Sequence, residues 1–479
     1  MMKFTLMLYI FFICHALPAQ IYNYYFGNLH AHTAFSDGNK DSSVSGIARP
    51  DASYAYAKLS TGFDFLGISE HNHFNVSRNP GFRRPLYQSG LNMANAANQD
   101  GSFLSLFGIE YGVSSGKNGH VVIYGFNQLI GWESNVGGIS GNNYDIFNAK
   151  SDYEGLFRKI KNNPAAFAYL AHPYWTDFSK DGNDSTALAF SAYNAMYDSA
   201  IVGLPLRSGN AFSTFVNYND YSTGDYFNYY KKLLNVGYHL GIGYDHDNHY
   251  SNFGRSNGGR LVILAPSLTR TNLTKAMQKM NFYGSDDYNA KVEFTMNGNI
   301  MGSVLNGSLF PTFNIVHNDA DGEQADTIRL WRGNKNSGGL WAQVLQMSLG
   351  TNTSAFTDQS IIPGIEYYYF VDIKQADGQW IATSPIWFTY LSFTNSLTKN
   401  EQQLAFSYFP NPVSQQLNIS MAQCFEYTIT ITDLQGRTLF DRKTNEKDLT
   451  INLAEISQGM YILKINDGVK AISKKLQIE

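Results

Sequence analysis

The sequence predicts an α/β protein: a β/α barrel over residues 21–290, followed by two all-β, sandwich-like domains. Between residues 21 and 290, apolar runs alternate with helical patterns, which is the element order of such a barrel. Metal-binding side chains recur at the carboxyl ends of the strand candidates, where barrels of this type carry their active sites. Beyond about residue 290, short alternating and aromatic runs separated by Gly, Asn and Ser turns predict sheets without helices.

Residues 1–19 have the pattern of a secretory signal peptide. Lys3 precedes the apolar run Phe4 to Ile13, which is too short to span a bilayer, and Ala19 is the expected cleavage point. A buried strand is the alternative interpretation of that run. Removal of the signal leaves Cys424 as the only thiol, so an internal disulfide and a thiolate metal cluster are both excluded.

Five predicted strands of the barrel lead directly into side chains that bind metals. They are Tyr24–Leu29 before His30 and His32, Phe63–Ile68 before Glu70 and His71, Phe103–Ile109 before Glu110, Ala165–Leu170 before His172, and Tyr238–Tyr244 before Asp245, Asp247 and His249. Helices are predicted between the strands, for example Asp152–Lys161 and Asn272–Met280. Ser151 and Glu154 form a capping box at the first of these helices.

The spacing of these residues predicts their coordination chemistry. His30 and His32 are two residues apart, so an extended chain points both imidazoles the same way, and Asp247 with His249 repeats that spacing. Imidazole and carboxylate ligands without thiolate suit zinc, manganese or iron. Glu110 is the natural bridge, since one carboxylate can offer an oxygen to each of two cations. Nine of the eleven histidines lie between residues 30 and 249, which indicates one shared site.

This set of residues resembles the polymerase and histidinol phosphatase family of metal-dependent phosphoesterases. The pattern begins with His-x-His and an Asp five residues on, and all nine expected ligand types follow in order: His30, His32, Asp37, His71, Glu110, His120, His172, Asp247 and His249. The resemblance implies a distorted seven-stranded barrel and a site of two or three divalent ions. It also implies that a metal-activated water hydrolyses phosphate esters there.

The resemblance also implies a role for each residue. By position, His30, His32, Glu110 and one aspartate hold the first ion, Glu110, His120 and His172 the second, and Asp37, His71 and His249 the third. Asp247 is preferred to Asp245 because only Asp247 has a histidine two residues on. Glu110, His172 and Asp247 are the predicted catalytic residues.

Several nearby residues receive other interpretations. His73 is a reserve ligand or substrate contact, whereas His239 and His246 are expected to be structural. Arg255 and Arg260 follow the last ligand pair and are candidates to bind phosphoryl oxygens, because a guanidinium group matches two oxygens. Ordinary solvated loop charges are the alternative for both arginines.

The charge balance limits the partners of the protein. The chain of 479 residues has 35 Lys plus Arg against 39 Asp plus Glu, a net charge of −4. No excess of basic residues is present to hold a polyanion, so no stable nucleic-acid partner is predicted. The expected substrate is a small phosphorylated molecule.

The chain after residue 290 is divided into a β-sandwich domain at 291–391, a polar linker at 392–403 and a terminal domain at 404–479. The last segment contains Pro410-Asn411-Pro412, a turn at Gly436, the strand Gly459-Met460-Tyr461 and a basic closing strand at 474–476. These motifs resemble the C-terminal sorting domain of the type IX secretion system of Bacteroidetes. The resemblance implies transport through the periplasm by the type IX machinery and a secreted or cell-surface protein. A carbohydrate-binding β module is the alternative.

Three alternative functions exist for the N-terminal region, and the sequence context argues against the first. Gly112 to Gly116 fits G-x-S-x-G, with Ser114 as a nucleophile, but the segment joins two predicted strands, whereas a nucleophile elbow joins a strand to a helix. The second alternative is a non-catalytic module that binds a metal or ligand. The third is a metal-dependent hydrolase of an amide or lactone.

Overall fold

The computed structural model describes residues 22–73, 82–112, 118–132, 143–179, 188–335, 341–392, 406–421, 426–468 and 471–479. The chain divides into two compact units, residues 1–392 and 393–479. The predicted signal peptide, Ser114, Cys424 and most of the predicted linker lie outside the described residues. Among the described residues, no helix has the length and hydropathy needed to cross a bilayer.

The first unit contains seven helices within its described residues: α1 (Ser42–Ser45), α2 (Pro50–Ala57), α3 (Arg84–Ala97), α4 (Tyr153–Lys161), α5 (Ala195–Asp198), α6 (Phe227–Val236) and α7 (Arg270–Gln278). Both helices that the sequence predicted by range are present as α4 and α7. The cap of α4 lies one residue later than predicted, because the Asp152 side chain accepts the Gly155 N–H.

Strands predominate in both units. Up to residue 290 they are β1 (Asn23–Asn28), β2 (Phe65–His71), β3 (Leu104–Tyr111), β4 (His120–Tyr124), β5 (Ile130–Gly131), β6 (Ile146–Phe147), β7 (Phe167–Ala171), β8 (Ile201–Ser208), β9 (Gly241–Asp245), β10 (Arg260–Ala265) and β11 (Phe282–Ser285). The rest of the first unit adds β12 (Lys291–Met296), β13 (Asn299–Ile300), β14 (Val304–Gly307), β15 (Thr312–Asn318), β16 (Ala325–Asn334), β17 (Gln343–Leu349), β18 (Thr353–Thr357), β19 (Glu366–Gln375), β20 (Trp380–Thr383) and β21 (Ile386–Tyr390).

The predicted fold, a β/α barrel followed by two all-β sandwich-like domains, is wrong. The described residues form 28 strands and only seven helices. A β/α barrel requires parallel neighbours joined by helical crossovers. Here β1 pairs antiparallel with β10, β10 with β11, β3 with β4, and β4 with β7. The described part of the first unit is therefore built on a mixed sheet.

The strands that follow residue 290 continue this sheet. Its order is β14-β21-β19-β20-β11-β10-β1-β2-β3-β4-β7-β8-β9, with β16 and β17 attached to β19. The junction is the antiparallel pair of β11 and β20, in which Tyr283 lies opposite Thr383. Pairing with β20 satisfies the backbone groups along the outer edge of β11. A second sheet, β13-β12-β15-β18, lies in the same unit.

Apolar cores cover the faces of the large sheet. One core contains side chains from the strands that lead to the predicted ligands, including Ile68, Phe107, Ile109, Val121 and Leu170. Another joins strands from both sides of residue 290, including Phe26, Val262, Tyr283, Val292, Phe313 and Ile381. This shared core binds the ligand-bearing strands and the later strands into one folding unit.

The second unit is all-β within its described residues. Its strands are β22 (Phe406–Phe409), β23 (Gln416–Met421), β24 (Tyr427–Thr432), β25 (Thr438–Thr444), β26 (Asp448–Asn452), β27 (Gly459–Asn466) and β28 (Ala471–Ile478). They form two sheets, β22-β23-β26 and β25-β24-β27-β28, around an apolar core. The alternating burial of Gly459–Asn466 shows why this strand pattern is visible in the sequence.

Candidate metal centre

The first two predicted ligands lie just beyond the end of β1. The Asn28 side chain accepts the His30 N–H at 3.1 Å and donates to the His30 carbonyl at 2.7 Å, which fixes the chain where it leaves the strand. The Nε2 atoms of His30 and His32 both lie 3.3 Å from Oε2 of Glu110. The two imidazoles therefore point to one carboxylate, as their spacing predicts.

Glu110, near the end of β3, occupies the centre of the cluster and is fully buried. Five imidazole nitrogens lie within 3.3 Å of its oxygens: those of His30, His32 and His71 at Oε2, and those of His120 and His172 at Oε1. Burial opposes ionisation, but the surrounding histidines hold the pKa of Glu110 well below its usual range. The carboxylate stays charged and presents an oxygen to each side of the cluster.

Asp247 closes the cluster from the loop after β9. Its Oδ1 lies 3.2 Å from Nε2 of His30 and 3.0 Å from Nε2 of His32. The Asp247 N–H donates to the His30 carbonyl, and the His32 N–H donates to the Asn248 carbonyl, so this loop runs beside residues 30–32. Asp247 and His172 have φ values of 51° and 28°, a backbone strain that is common at functional sites.

The structure also separates the roles of the two neighbouring aspartates. Asp245 Oδ2 lies 3.1 Å from Nδ1 of His30, on the opposite edge of the ring from Glu110 and Asp247. A carboxylate in that position orients the imidazole and leaves Nε2 facing the cluster. Asp247 therefore directs a carboxylate oxygen at the cluster, whereas Asp245 contacts the far edge of the His30 ring.

A second group of side chains lies beside the first. Asp37 Oδ1 is 3.3 Å from Nε2 of His249 and 3.6 Å from Nε2 of His71. His249 Nδ1 lies 2.8 Å from the Asp247 carbonyl. A carbonyl oxygen only accepts, so the His249 Nδ1–H donates to it and the ring is oriented with Nε2 facing Asp37.

Buried polar atoms without hydrogen-bond partners show that these residues fit divalent cations. Among the described residues, those of the cluster are His30 Nε2, His32 Nδ1, Asp37 Oδ1, His71 Nδ1 and Glu110 Oε2. Except for His32 Nδ1, these atoms lie 3.2–3.6 Å from a neighbouring ligand-type atom without forming a hydrogen bond. Cations bound between them would accept their lone pairs. Three sets of ligand atoms each lie within 4.8 Å of one another: His30, Glu110, His172 and Asp247; His71, Glu110 and His120; and His32, Asp37, His71 and His249.

All nine predicted metal ligands thus occur in these sets, but their grouping differs from that implied by the family resemblance. His172 joins His30 and Asp247, whereas it was expected with His120. His71 faces Glu110 through Nδ1 and Asp37 through Nε2, so it belongs to two sets. The difference arises because imidazole has two nitrogens, and sequence order does not fix which one faces which neighbour.

The structure does not bring Arg255 or Arg260 to the cluster, so neither is placed to bind substrate. Arg260 is fully buried. Its five N–H groups donate to the carbonyls of Thr61, Gly62, Gly254, Asn257 and Gly259. Arg255 donates to Ser60 and to the Tyr56 carbonyl, and its guanidinium lies 4.0 Å from the centroid of the Tyr56 ring. Both side chains tie loops together.

Two residues missed by the sequence analysis lie next to Asp37 and His249. Lys40 Nζ is 3.7 Å from Asp37 Oδ2, and the Phe212 ring centroid is 4.8 Å from that of His249. Lys40 follows Asp37 by three residues, which is the one signal in the sequence that could have indicated it. Phe212 comes from a loop far from the ligand motifs and had no such signal.

Other polar residues near the cluster have structural contacts. Glu70, next to His71, is buried and accepts hydrogen bonds from Thr33 and Ser36, and burial raises its pKa to about 7. His246 Nε2 lies 2.7 Å from the Gly259 carbonyl. The ring of His73 lies 5.3 Å from that of His71, outside the three ligand sets.

The G-x-S-x-G segment lies between β3 and β4, which pair antiparallel. Gly112 is described and has a φ of 130°, whereas Ser114 lies outside the described residues. The segment therefore joins a strand to a strand, which is not the context of a nucleophile elbow.

Comparison with known proteins identifies the end of the chain. Residues 407–479 match the family model described as the secretion system C-terminal sorting domain, which confirms that part of the sequence interpretation. The protein carries a type IX secretion sorting domain and is therefore secreted or displayed on the cell surface. No curated protein matches the chain.

The solved structures include immunoglobulin-like and fibronectin-like modules. Fibronectin(III)-like modules of CbhA from Clostridium thermocellum share 10% identity over 39% of this chain and 93% of theirs, with a TM-score of 0.14. The titin domains z1z2, solved with telethonin, share 12% identity over 39% and 94%, with a TM-score of 0.17. PorZ, a surface component of the type IX secretion system of Porphyromonas gingivalis, shares 13% identity over 41% of this chain and 37% of PorZ, with a TM-score of 0.15. Such low TM-scores support no inference about fold or function.

Proposed function

We propose that the first unit is a metal-dependent phosphoesterase that uses two or three divalent ions, zinc, manganese or iron. The observation that carries the proposal is the burial of Glu110 among five imidazoles and beside Asp247, with ligand-type atoms left without hydrogen bonds. Cations bound between these imidazoles and carboxylates would pair the ligand-type atoms that make no hydrogen bond. The ligand order that resembles the polymerase and histidinol phosphatase family adds support for phosphate esters.

The ligand-type atoms form three connected sets. His30, His172, Asp247 and Glu110 would hold one ion, and Glu110 would also contribute to a second ion beside His71 and His120. His32, Asp37, His71 and His249 offer a third position. Bound ions supply an acidified water and neutralise charge on phosphoryl oxygens.

Neighbouring groups of the protein orient two of the imidazole rings for metal binding. Asp245 fixes the ring of His30, and the Asp247 carbonyl fixes that of His249. The side chains of His172 and Asp247 keep 29% and 17% of their surface exposed, so both line the open side of the cluster. A small phosphorylated substrate would approach the cluster from this side, whereas Glu110 is fully buried. We expect a metal-activated water as nucleophile and no covalent enzyme intermediate.

The function is tested by measuring the metal content and phosphate release of the purified protein. An aryl phosphomonoester, a phosphodiester and an oligonucleotide separate the possible ester classes. Metal with no hydrolysis of any phosphoester would support a binding module, and cleavage of an amide or lactone alone would indicate the other hydrolase class. Either result would overturn the proposal.

Variants identify the residues responsible for turnover. His172→Ala and Asp247→Ala should each lower phosphoesterase turnover by roughly 100-fold or more, because each removes a ligand from the metal pair. The fold should survive, since the unit is held together by its sheet and apolar cores. Ser114→Ala is the control and should be nearly silent. Loss of activity in Ser114→Ala with unchanged metal content would instead support a serine nucleophile.

A further inference from the structure

An exposed phenyl ring lies against the histidine that completes the outer ligand group. Phe212 is 59% exposed, whereas His249 is buried, and their ring centroids are 4.8 Å apart at an interplanar angle of 36°. Hydrogen bonds fix the backbone at the ring: the Phe212 N–H donates to the Asn210 side chain, and the His249 N–H donates to the Ala211 carbonyl. One edge of the ligand group thus carries an aromatic surface open to solvent.

Lys40 lies at the same edge. Its Nζ is 3.7 Å from Asp37 Oδ2 and 5.7 Å from the centroid of the Phe212 ring. The Lys40 N–H donates to the His249 carbonyl at 3.0 Å, so its backbone is tied to the same ligand. Asp37 directs its other oxygen to His249, which leaves the ammonium on the outer side of the carboxylate. From there Lys40 can donate to a phosphoryl oxygen.

We propose that this edge selects phosphate esters with an aromatic alcohol portion: Lys40 contacts a phosphoryl oxygen and Phe212 stacks on the aryl ring. The inference rests on the proposed phosphoesterase function and specifies its substrate class. An aryl group would bury the phenyl surface that is otherwise exposed, whereas a small aliphatic alcohol portion would leave it in water. Lys40 also places a positively charged side chain at the site, which Arg255 and Arg260 were expected to do and do not.

Binding of two phosphonates to the metal-loaded full chain separates the ring contact from turnover. Calorimetry with phenylphosphonate and methylphosphonate should show about three- to tenfold tighter binding of the phenyl compound, the range expected for an aromatic pair. Phe212→Ala should abolish this preference and leave methylphosphonate affinity within about twofold of wild type. Phe215→Ala is the matched control, since Phe215 is an exposed phenylalanine on the same loop, 48% exposed, and should keep the preference.

Lys40 is tested with the same two compounds. Lys40→Met should weaken both phosphonates by a similar factor, about tenfold, because both lose the same charge-assisted hydrogen bond. Lys40→Arg should restore most of the affinity and shows that a loss in Lys40→Met comes from the missing charge. A Lys40→Met variant that folds and binds both compounds like wild type would overturn the role of Lys40.

Hydrolysis then distinguishes failure of the inference from failure of the proposed function. The kcat/KM for phenyl phosphate should fall in Phe212→Ala, and that for methyl phosphate should not. If the protein hydrolyses both esters and Phe212→Ala changes them equally, the substrate assignment is wrong and the phosphoesterase function stands. If phenylphosphonate binding depends on Phe212 but no phosphoester is hydrolysed, the proposed function is wrong and the binding edge stands.

Discussion

At the residue scale, His239 forms ion pairs with two carboxylates away from the candidate metal centre. Its Nδ1 lies 3.0 Å from Asp198 Oδ2, and its Nε2 lies 3.3 Å from Glu366 Oε1. Burial lowers the pKa of His239, but the two carboxylates outweigh burial and raise it to about 9. A protonated His239 therefore joins α5 to β19 at neutral pH.

This link predicts a stability change that depends on pH. The folded pKa of His239 lies above its unfolded value of about 6.5, so its stabilisation is complete below that pH and is lost as pH rises through about 9. His239→Gln should reduce the free energy of unfolding by about 1–3 kcal/mol at pH 6 and by much less at pH 10. Urea unfolding followed by tryptophan fluorescence measures this, since all six tryptophans lie in the first unit. Equal losses at the two pH values would contradict the ionic role.

The nine ligand-type residues that the sequence singled out lie together in the structure, but their detailed geometry and the neighbouring Lys40 and Phe212 were not predicted. The spacing of His30 and His32 fixes their common direction, and strand ends place Glu110 and His172 nearby. Which nitrogen faces which carboxylate depends on tertiary contacts, for example Asp245 behind His30. The identification of all these side chains as functional metal ligands stays a prediction.

At the element scale, Arg260 at the start of β10 joins two loops. Its fully buried side chain donates to carbonyls at residues 61–62 and at residues 254–259. Burial lowers the pKa of Arg260 to about 10, so the group remains charged at neutral pH. These contacts hold the loop after the ligand pair against the chain before β2.

Arg260→Lys should therefore destabilise the first unit although it keeps the charge. An ammonium has three donors and cannot reach five carbonyls, so the free energy of unfolding should fall by about 2–4 kcal/mol. Arg158→Lys is the control, because Arg158 forms an exposed pair with Glu154 and its change should alter stability by less than about 0.5 kcal/mol. A stable Arg260→Lys variant that has lost only phosphoester affinity would instead support a substrate contact.

The sequence predicts where strands lie better than it predicts which strands pair with one another. Of the aromatic or alternating runs after residue 290, Thr327–Trp331 and Tyr367–Ile373 fall in β16 and β19, and Pro385–Tyr390 covers β21. The runs that precede the predicted ligands overlap β1, β2, β3, β7 and β9. A run of β-forming residues predicts a strand, but it does not determine which strand pairs with it or whether the pair is parallel or antiparallel. The alternation of strands and helices therefore suggested parallel pairs, whereas β3, β4 and β7 pair antiparallel.

At the scale of the whole molecule, the chain combines a first unit that contains the clustered histidines and carboxylates with a second unit that contains the sorting domain. The matched residues 407–479 lie within the second compact unit, which has its own apolar core of strands. A separate core explains why the motifs of this unit are recognisable without reference to the first. The sorting domain thus lies in the second unit, whereas the residues of the proposed metal centre lie in the first.

Ending the chain after Thr398 should separate these roles. The shortened protein lacks all of the matched sorting domain and should accumulate in the periplasm, whereas the full chain should reach the cell surface or medium. The full chain is expected to lose the residues after about 400 during transport. Cell fractionation with an antibody to the first unit measures both. Surface display of the shortened protein would show that residues 399–479 are not required for sorting.

The metal stoichiometry and turnover of Glu110→Gln test the central claim most directly. Wild-type protein should contain two to three divalent ions per chain, and Glu110→Gln should lose more than one, because a neutral carboxamide bridges two cations poorly. Phosphoester turnover should fall with the metal. Asp245→Asn is the control, since Asp245 touches only the far edge of His30, and it should lose less metal. Full metal content and full activity in Glu110→Gln would contradict a metal centre built around this carboxylate.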